Sequence, residues 1–174
     1  MTDPTATDGD AVVEIDPQVF RKVLGHFPTG VTVVAARDGD RPVGLAIGSF
    51  FSVSLEPPLV GFCVSNGSST WPIIESHGAF GVSVLADDQH EVSNTFASRV
   101  EDKFAEISWE PAPVTGSPLI HQAVAHLDCE LFDQFPGGDH VVVLGRVRAL
   151  EIHRGDVGAL VFARGGYGRH ESLG

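Results

Sequence analysis

Ala123-Val124-Ala125-His126-Leu127-Asp128-Cys129-Glu130-Leu131 is the stretch on which the fold turns. Ala123, Ala125, Leu127, Cys129 and Leu131 alternate with His126, Asp128 and Glu130. Successive strand side chains point to opposite faces, so this period of two predicts a half-buried antiparallel strand. The polar set, His126 included, is expected on the solvent face. Pro136-Gly137-Gly138-Asp139 then turns the chain, and His140 to Ile152 returns. Arg146 and Arg148 fall on one face of the return strand; Gly145, Val147 and Ala149 fall on the other. Working outward, Leu160 to Ala163 is a last strand before a glycine-rich tail, Gly165-Gly166-Tyr167. Upstream, β-branched Gly30 to Ala36 ends at Asp38-Gly39, a hairpin signal. Val43 to Leu55 reads as one longer strand stopped by Pro57-Pro58, followed by strands over Leu59 to Ser65 and Phe80 to Leu85. Three short helices are expected. One is opened by Asp16-Pro17, with Phe20, Val23, Leu24 and Phe27 at helical spacing. The others are Trp71 to His77, closed by Gly78, and Asp87 to Ser98, capped by Asp87 or Asp88. Residues 99 to 122 read as irregular. This pattern predicts a mainly β fold, a closed antiparallel barrel decorated by short peripheral helices.

Composition narrows the function. The 174 residues suit one domain, residues 16–174, behind an acidic and disordered arm over residues 1–15. Eleven basic against 23 acidic residues give a formal net charge of −12, which argues against both a nucleic-acid groove and adsorption to an anionic membrane. No apolar run approaches the roughly 20 residues of a bilayer span, and a cytoplasmic protein is expected. Cys63 and Cys129 sit singly in apolar runs, as small buried hydrophobes rather than a disulfide or zinc site. A phosphate-binding GxxxxGK[ST] loop is missing. His90-Glu91 fails the HExxH pattern at Asn94, and Gly81-Val82-Ser83-Val84-Leu85 fails GxSxG at its last position. His121 and His126 fit one face poorly and read as surface histidines, so no metal site is expected.

Hydroxyls and glycines instead concentrate where strands end. Ser49, Ser52 and Ser54 lie in a stretch too apolar for a linker. They suit either a solvated edge strand or a wall presenting donors to a polar planar ligand. Ser65-Asn66-Gly67-Ser68-Ser69-Thr70 is either a plain turn or an anion-binding nest. Lys103, in Asp102-Lys103-Phe104, is one cation in an acidic chain.

In order along residues 16 to 170, several segments resemble the short flavin reductases, the reductase components of two-component flavin-dependent monooxygenases. These segments are Phe27-Pro28-Thr29-Gly30-Val31-Thr32-Val33-Val34, Ser49 through Val60, Ser69-Thr70-Trp71-Pro72-Ile73, Phe80 through Leu85, Asp102-Lys103-Phe104, Gly138-Asp139-His140 and Gly165-Gly166-Tyr167. The resemblance implies an FMN-binding, Greek-key split barrel and hydride transfer from NADH or NADPH to FMN or FAD, the reduced flavin leaving for a separate monooxygenase. It implies that Ala46, Ile47, Gly48, Ser49 and Phe50 face the flavin ring with main-chain groups. Ser65, Ser68 and Ser69 would contact its ribityl chain and phosphate. Lys103, with Phe104 beside it, would supply the phosphate cation. Thr29 and Tyr167 would lie near the ring, and His140 where the nicotinamide docks. A homodimer is implied, with the pocket near the subunit interface. Ala46, Gly48 and Asn66 stand where many members carry Thr, Asn and a basic residue, which leaves FMN against FAD open. A flavin-binding protein without nicotinamide turnover and an FMN-dependent oxidase on the same barrel are the alternatives.

Overall fold

The computed structural model describes residues 14–171; most of the expected acidic arm lies outside them. In chain order the elements are α1 (Pro17–Leu24), β1 (Thr29–Gly30), β2 (Thr32–Asp38), β3 (Arg41–Ile47), β4 (Phe51–Leu55), β5 (Pro58–Ser65), α2 (Trp71–His77), β6 (Ala79–Val84), α3 (His90–Ala97), β7 (Trp109–Pro111), β8 (Pro118–Ile120), β9 (Ala125–Gly137), β10 (His140–Ile152), β11 (Leu160–Ala163) and β12 (Gly166–Arg169). The fold is mainly β. Seven strands pair in the order β3-β2-β6-β9-β10-β5-β4, beside a three-stranded sheet β1-β11-β12 and a hairpin β7-β8. All the ladders are antiparallel.

The interior strand β2, with Val31 just before it, explains why residues 31–36 show no alternation. Val34 and Ala36 enter one core with Phe62, Trp71, Phe80 and Val143. Val31, Val33 and Ala35 enter a second with Phe96, Phe104 and Leu160. A strand covered on both sides has no polar face to write. In the first core, Phe62 meets Phe80 at 5.4 Å and Trp71 at 5.8 Å, both edge-on. Burying each such ring contributes roughly 1.5–3 kcal/mol.

Five expectations are corrected, the irregular reading of residues 99–122 among them, since β7 and β8 lie there. The long strand over Val43 to Leu55 is broken at Gly48-Ser49-Phe50: β3 pairs with β2, whereas β4 pairs with β5. The third helix starts at His90 and is preceded by Gln89, not capped by an aspartate. Gln89 accepts from the Ala86 N–H and donates to the His121 carbonyl, while Asp88 pairs with Arg154. The glycine-rich tail is the strand β12, hydrogen-bonded to β11.

His126, finally, is buried. The β7-β8 hairpin, drawn from the supposedly irregular segment, covers the polar face of β9 and leaves His126 2% and Asp128 1% exposed. Asp128 accepts from the Val114 N–H (2.7 Å), the Thr115 N–H (3.1 Å) and the Thr115 hydroxyl (2.6 Å), which satisfies its charge. Gly81 admits the hairpin, since a Cβ there would stand 2.5 Å from the Pro118 carbonyl oxygen.

Candidate functional site

A cleft of about 860 Å³ runs along β3 from Arg41 to Ala46, between the 67–70 loop and the 99–104 segment that follows α3. Three of the chain's 11 Lys and Arg residues, Arg41, Arg99 and Lys103, line it. Glu101 lines it too, so the cleft is net cationic in a chain of net charge −12, which suits an anion. Lys103 is fixed by its own bonds: its ammonium donates to the Phe96 carbonyl at the end of α3 (2.8 Å) and to the Gly44 carbonyl of β3 (3.4 Å). An ammonium has three donors, so one stays available. Burial lowers the Lys103 pKa.

Ser68 and Ser69 border the same cleft. The Ser68 hydroxyl accepts from the Trp71 N–H at 3.1 Å, opening α2, and keeps its own proton to donate. Beneath them Phe104 is a core residue, packed edge-on against Phe96 at 4.9 Å. Ala46, Ser68, Ser69, Lys103 and Phe104 are thus brought together. Arg41 and Arg99 were missed. Arg41 looks like an ordinary hairpin charge beside Asp38, and Arg99 falls in a segment without periodicity.

Past Ala46 the wall continues into the break. Ile47 is 5% exposed, with its carbonyl accepting from the Thr32 hydroxyl. Gly48 is exposed and lies beside the Thr29 hydroxyl, which a Cβ on residue 48 would approach to 3.3 Å. Ser49 commits its side chain within the chain. Its Oγ donates to the Cys63 carbonyl (3.1 Å) and accepts from the Cys63 N–H (2.8 Å), so it stands in for a rung between the break and β5. Phe50 packs half-buried against the first core.

Three of the sequence-predicted residues lie elsewhere within the chain. Ser65 and His140 are cross-strand partners on β5 and β10, and His140 lines a separate cavity with Asn66, Gln134 and Phe135. His140 Nδ1 is 2.7 Å from Asp139 Oδ1, a contact that lowers the Asp139 pKa, and Nε2 lies on the other side of the ring. Asn66 is spent on the same turn, with its backbone N–H and side-chain amide donating to the Asp139 and Gly138 carbonyls. Tyr167 lies against α3, its hydroxyl 2.9 Å from both Ser93 Oγ and Asn94 Oδ1.

Residues 24–171 match the flavin reductase like domain. The chain belongs to this family. It is 50% identical over 155 residues to a flavin reductase of Pseudomonas putida, covering 88% of this chain and 90% of that one. It is 46% identical over 167 residues to HsaB, the reductase subunit of a flavin-dependent monooxygenase of Rhodococcus jostii (strain RHA1), covering 96% and 85%. Among solved structures, the NADH:FAD oxidoreductase SgcE6 of Streptomyces globisporus C-1027, in complex with NAD and FAD fragments, superposes with a TM-score of 0.85 at 36% identity. The match covers 92% of this chain and 98% of that one. A flavin reductase-like chain needs a cleft for a planar ring with a phosphate tail. Hydroxyls, three cations and a strand's main chain in a volume within the usual 300–1,000 Å³ fit that need.

Proposed function

We propose that this chain is an NAD(P)H-dependent flavin reductase that passes hydride from NADH or NADPH to FMN or FAD and supplies reduced flavin to a separate monooxygenase component. The observation that carries this reading is the cation-lined cleft on β3, lying inside the segment that matches the family. When bound, the flavin supplies the electron-accepting ring and the nicotinamide supplies the hydride; the protein's task is to hold the two and exclude other reactions. Lys103 and Arg99 would hold the phosphate end, Ser68 and Ser69 would donate along the tail, and the 46–50 main chain would face the ring. Asp139 holds His140 by Nδ1, leaving Nε2 for the nicotinamide carboxamide. No acid, base or nucleophile is required of the chain, because orientation carries the rate.

Two structural readings go with this function. The seven-stranded sheet closes as an antiparallel Greek-key split barrel, supported by the Ser49 bridge from the end of β3 to Cys63 on β5. The working form is a homodimer, supported by the apolar stripe of α1. Val19, Phe20, Val23 and Leu24, with Phe27 beyond, are each more than half exposed among the described residues. A second copy accounts for His140 and Tyr167 lying outside the cleft of one chain. No helix among the described residues is long and apolar enough to cross a membrane, and we place the enzyme in the cytoplasm with its free Cys63 and Cys129.

Anaerobic mixing of the purified protein with each nicotinamide and excess FMN or FAD tests the activity. Loss of the oxidised-flavin absorbance in step with nicotinamide oxidation is expected, and flavin that binds without bleaching would leave a mere binder. His140→Ala should raise the KM for the nicotinamide far more than it weakens flavin binding; equal effects count against its assigned place.

A further inference from the structure

Away from the cleft, four side chains from separate segments converge. Glu110 lies in β7, His126 in β9, Glu151 near the end of β10 and His153 just beyond it. One ligand-capable atom from each lies within 4.8 Å of all the others. His126 decides what the group can do. Its Nε2 is 2.8 Å from the Ile120 carbonyl. A carbonyl can only accept, so Nε2 carries the proton, and the neutral ring presents a lone pair at Nδ1. That Nδ1 is buried without a hydrogen-bond partner among the described residues, 4.0 Å from Glu151 Oε1. An orphaned buried acceptor is costly and calls for an explanation. An imidazole anchored by one nitrogen to a carbonyl, with the other bare, is oriented as a metal ligand is.

The surroundings agree. Glu110, His126 and Glu151 line a cavity of about 250 Å³, enough for an ion and a water. The His153 ring lies 5.3 Å from that of His126. Neighbouring Asp128 takes no part, since its oxygens are committed to residues 114 and 115.

We propose that Glu110, His126, Glu151 and His153 form a binding site for a divalent transition-metal ion, with zinc as its occupant. Two imidazoles and two carboxylates make a mixed nitrogen and oxygen set that suits zinc, whereas magnesium and calcium want oxygen alone. The two carboxylates balance the ion's charge. Buried His126 is the fixed ligand; half-buried Glu110 and exposed Glu151 and His153 close onto it, to metal distances of about 2.0–2.2 Å. The ion ties the β7-β8 hairpin to the far end of β9 and β10. The cavity shares no lining residue with the β3 cleft, so this inference stands apart from the flavin reading.

Full-length protein freed of any histidine tag and stripped with a chelator is titrated with zinc by calorimetry, with thermal unfolding in parallel. One zinc per chain at micromolar concentration, a raised Tm, and the intense visible bands of a tetrahedral site on cobalt substitution are expected. Magnesium should leave Tm unchanged. His153→Ala and Glu151→Gln alter exposed side chains and keep the fold; each should weaken zinc by at least about tenfold. His126→Ala is set aside because it opens the interior. Absence of micromolar binding overturns the proposal, leaving His126 to a proton or a water. Binding that survives both substitutions also overturns it, since other histidines among the chain's eight would be responsible.

Discussion

In the proposed flavin site, Lys103 joins stability and binding in one ammonium. Two of its donors hold the end of α3 and the strand β3, and the third faces the cleft. Lys103→Met therefore loses a charge-assisted bond to a phosphate, worth roughly 1.5–3 kcal/mol. The KM for flavin should rise by about ten- to a hundredfold with kcat nearly unchanged. A kcat loss without a KM change would place Lys103 outside the phosphate site. The pH dependence has a definite sign. Burial sets the folded pKa of Lys103 below its unfolded value. Between the two values the unfolded chain binds more protons, so this group adds stability as pH rises. Flavin affinity moves the opposite way, falling as the ammonium is lost below the ordinary lysine range. A flavin KM that stays flat from neutral pH up to that range would contradict the assignment.

At the scale of elements, the β7-β8 hairpin is held onto β9 by Asp128. Replacing it with alanine strands three part-buried donors, and the cost should be about 3 kcal/mol in chemical denaturation. Amide exchange should quicken over residues 109–120 ahead of the rest; uniform exchange would mean the hairpin is held by other contacts. This hairpin also marks where sequence reading stops. Trp71–His77 and its Gly78 cap, at φ +74°, were legible because both end signals are local. The β2-β3 hairpin was legible for the same reason. His126 was misread because period two describes one strand, not what later covers it. The cover comes from a proline-marked segment whose only order is tertiary. Gly48-Ser49-Phe50 hid its break for a related reason. The stretch is apolar enough for a strand, and only the bond from Ser49 to Cys63 shows the chain leaving β2 for β5. The set Glu110, His126, Glu151 and His153 has no spacing to read, because two hairpins bring it together.

The whole molecule carries an apolar stripe on α1 that nothing among the described residues covers. Phe20→Glu with Leu24→Glu should turn a dimer into a monomer in light scattering. Turnover should fall by at least about tenfold if the second copy brings His140 to the ring. A wild-type monomer at micromolar concentration would contradict the dimer. The cleft on β3 was foreseen in part. Ala46, Ser68, Ser69, Lys103 and Phe104 meet there, whereas its other cations, Arg41 and Arg99, could be placed only by the fold.

Equilibrium titration of the purified protein with FMN and with FAD, followed by quenching of flavin fluorescence and by Tm, tests the central claim most directly. Saturable quenching, a raised Tm, and a shift of both to about ten- to a hundredfold higher flavin in Lys103→Met are the predicted result. Free flavin fluorescence and an unmoved Tm at millimolar ligand would contradict a flavin site on β3.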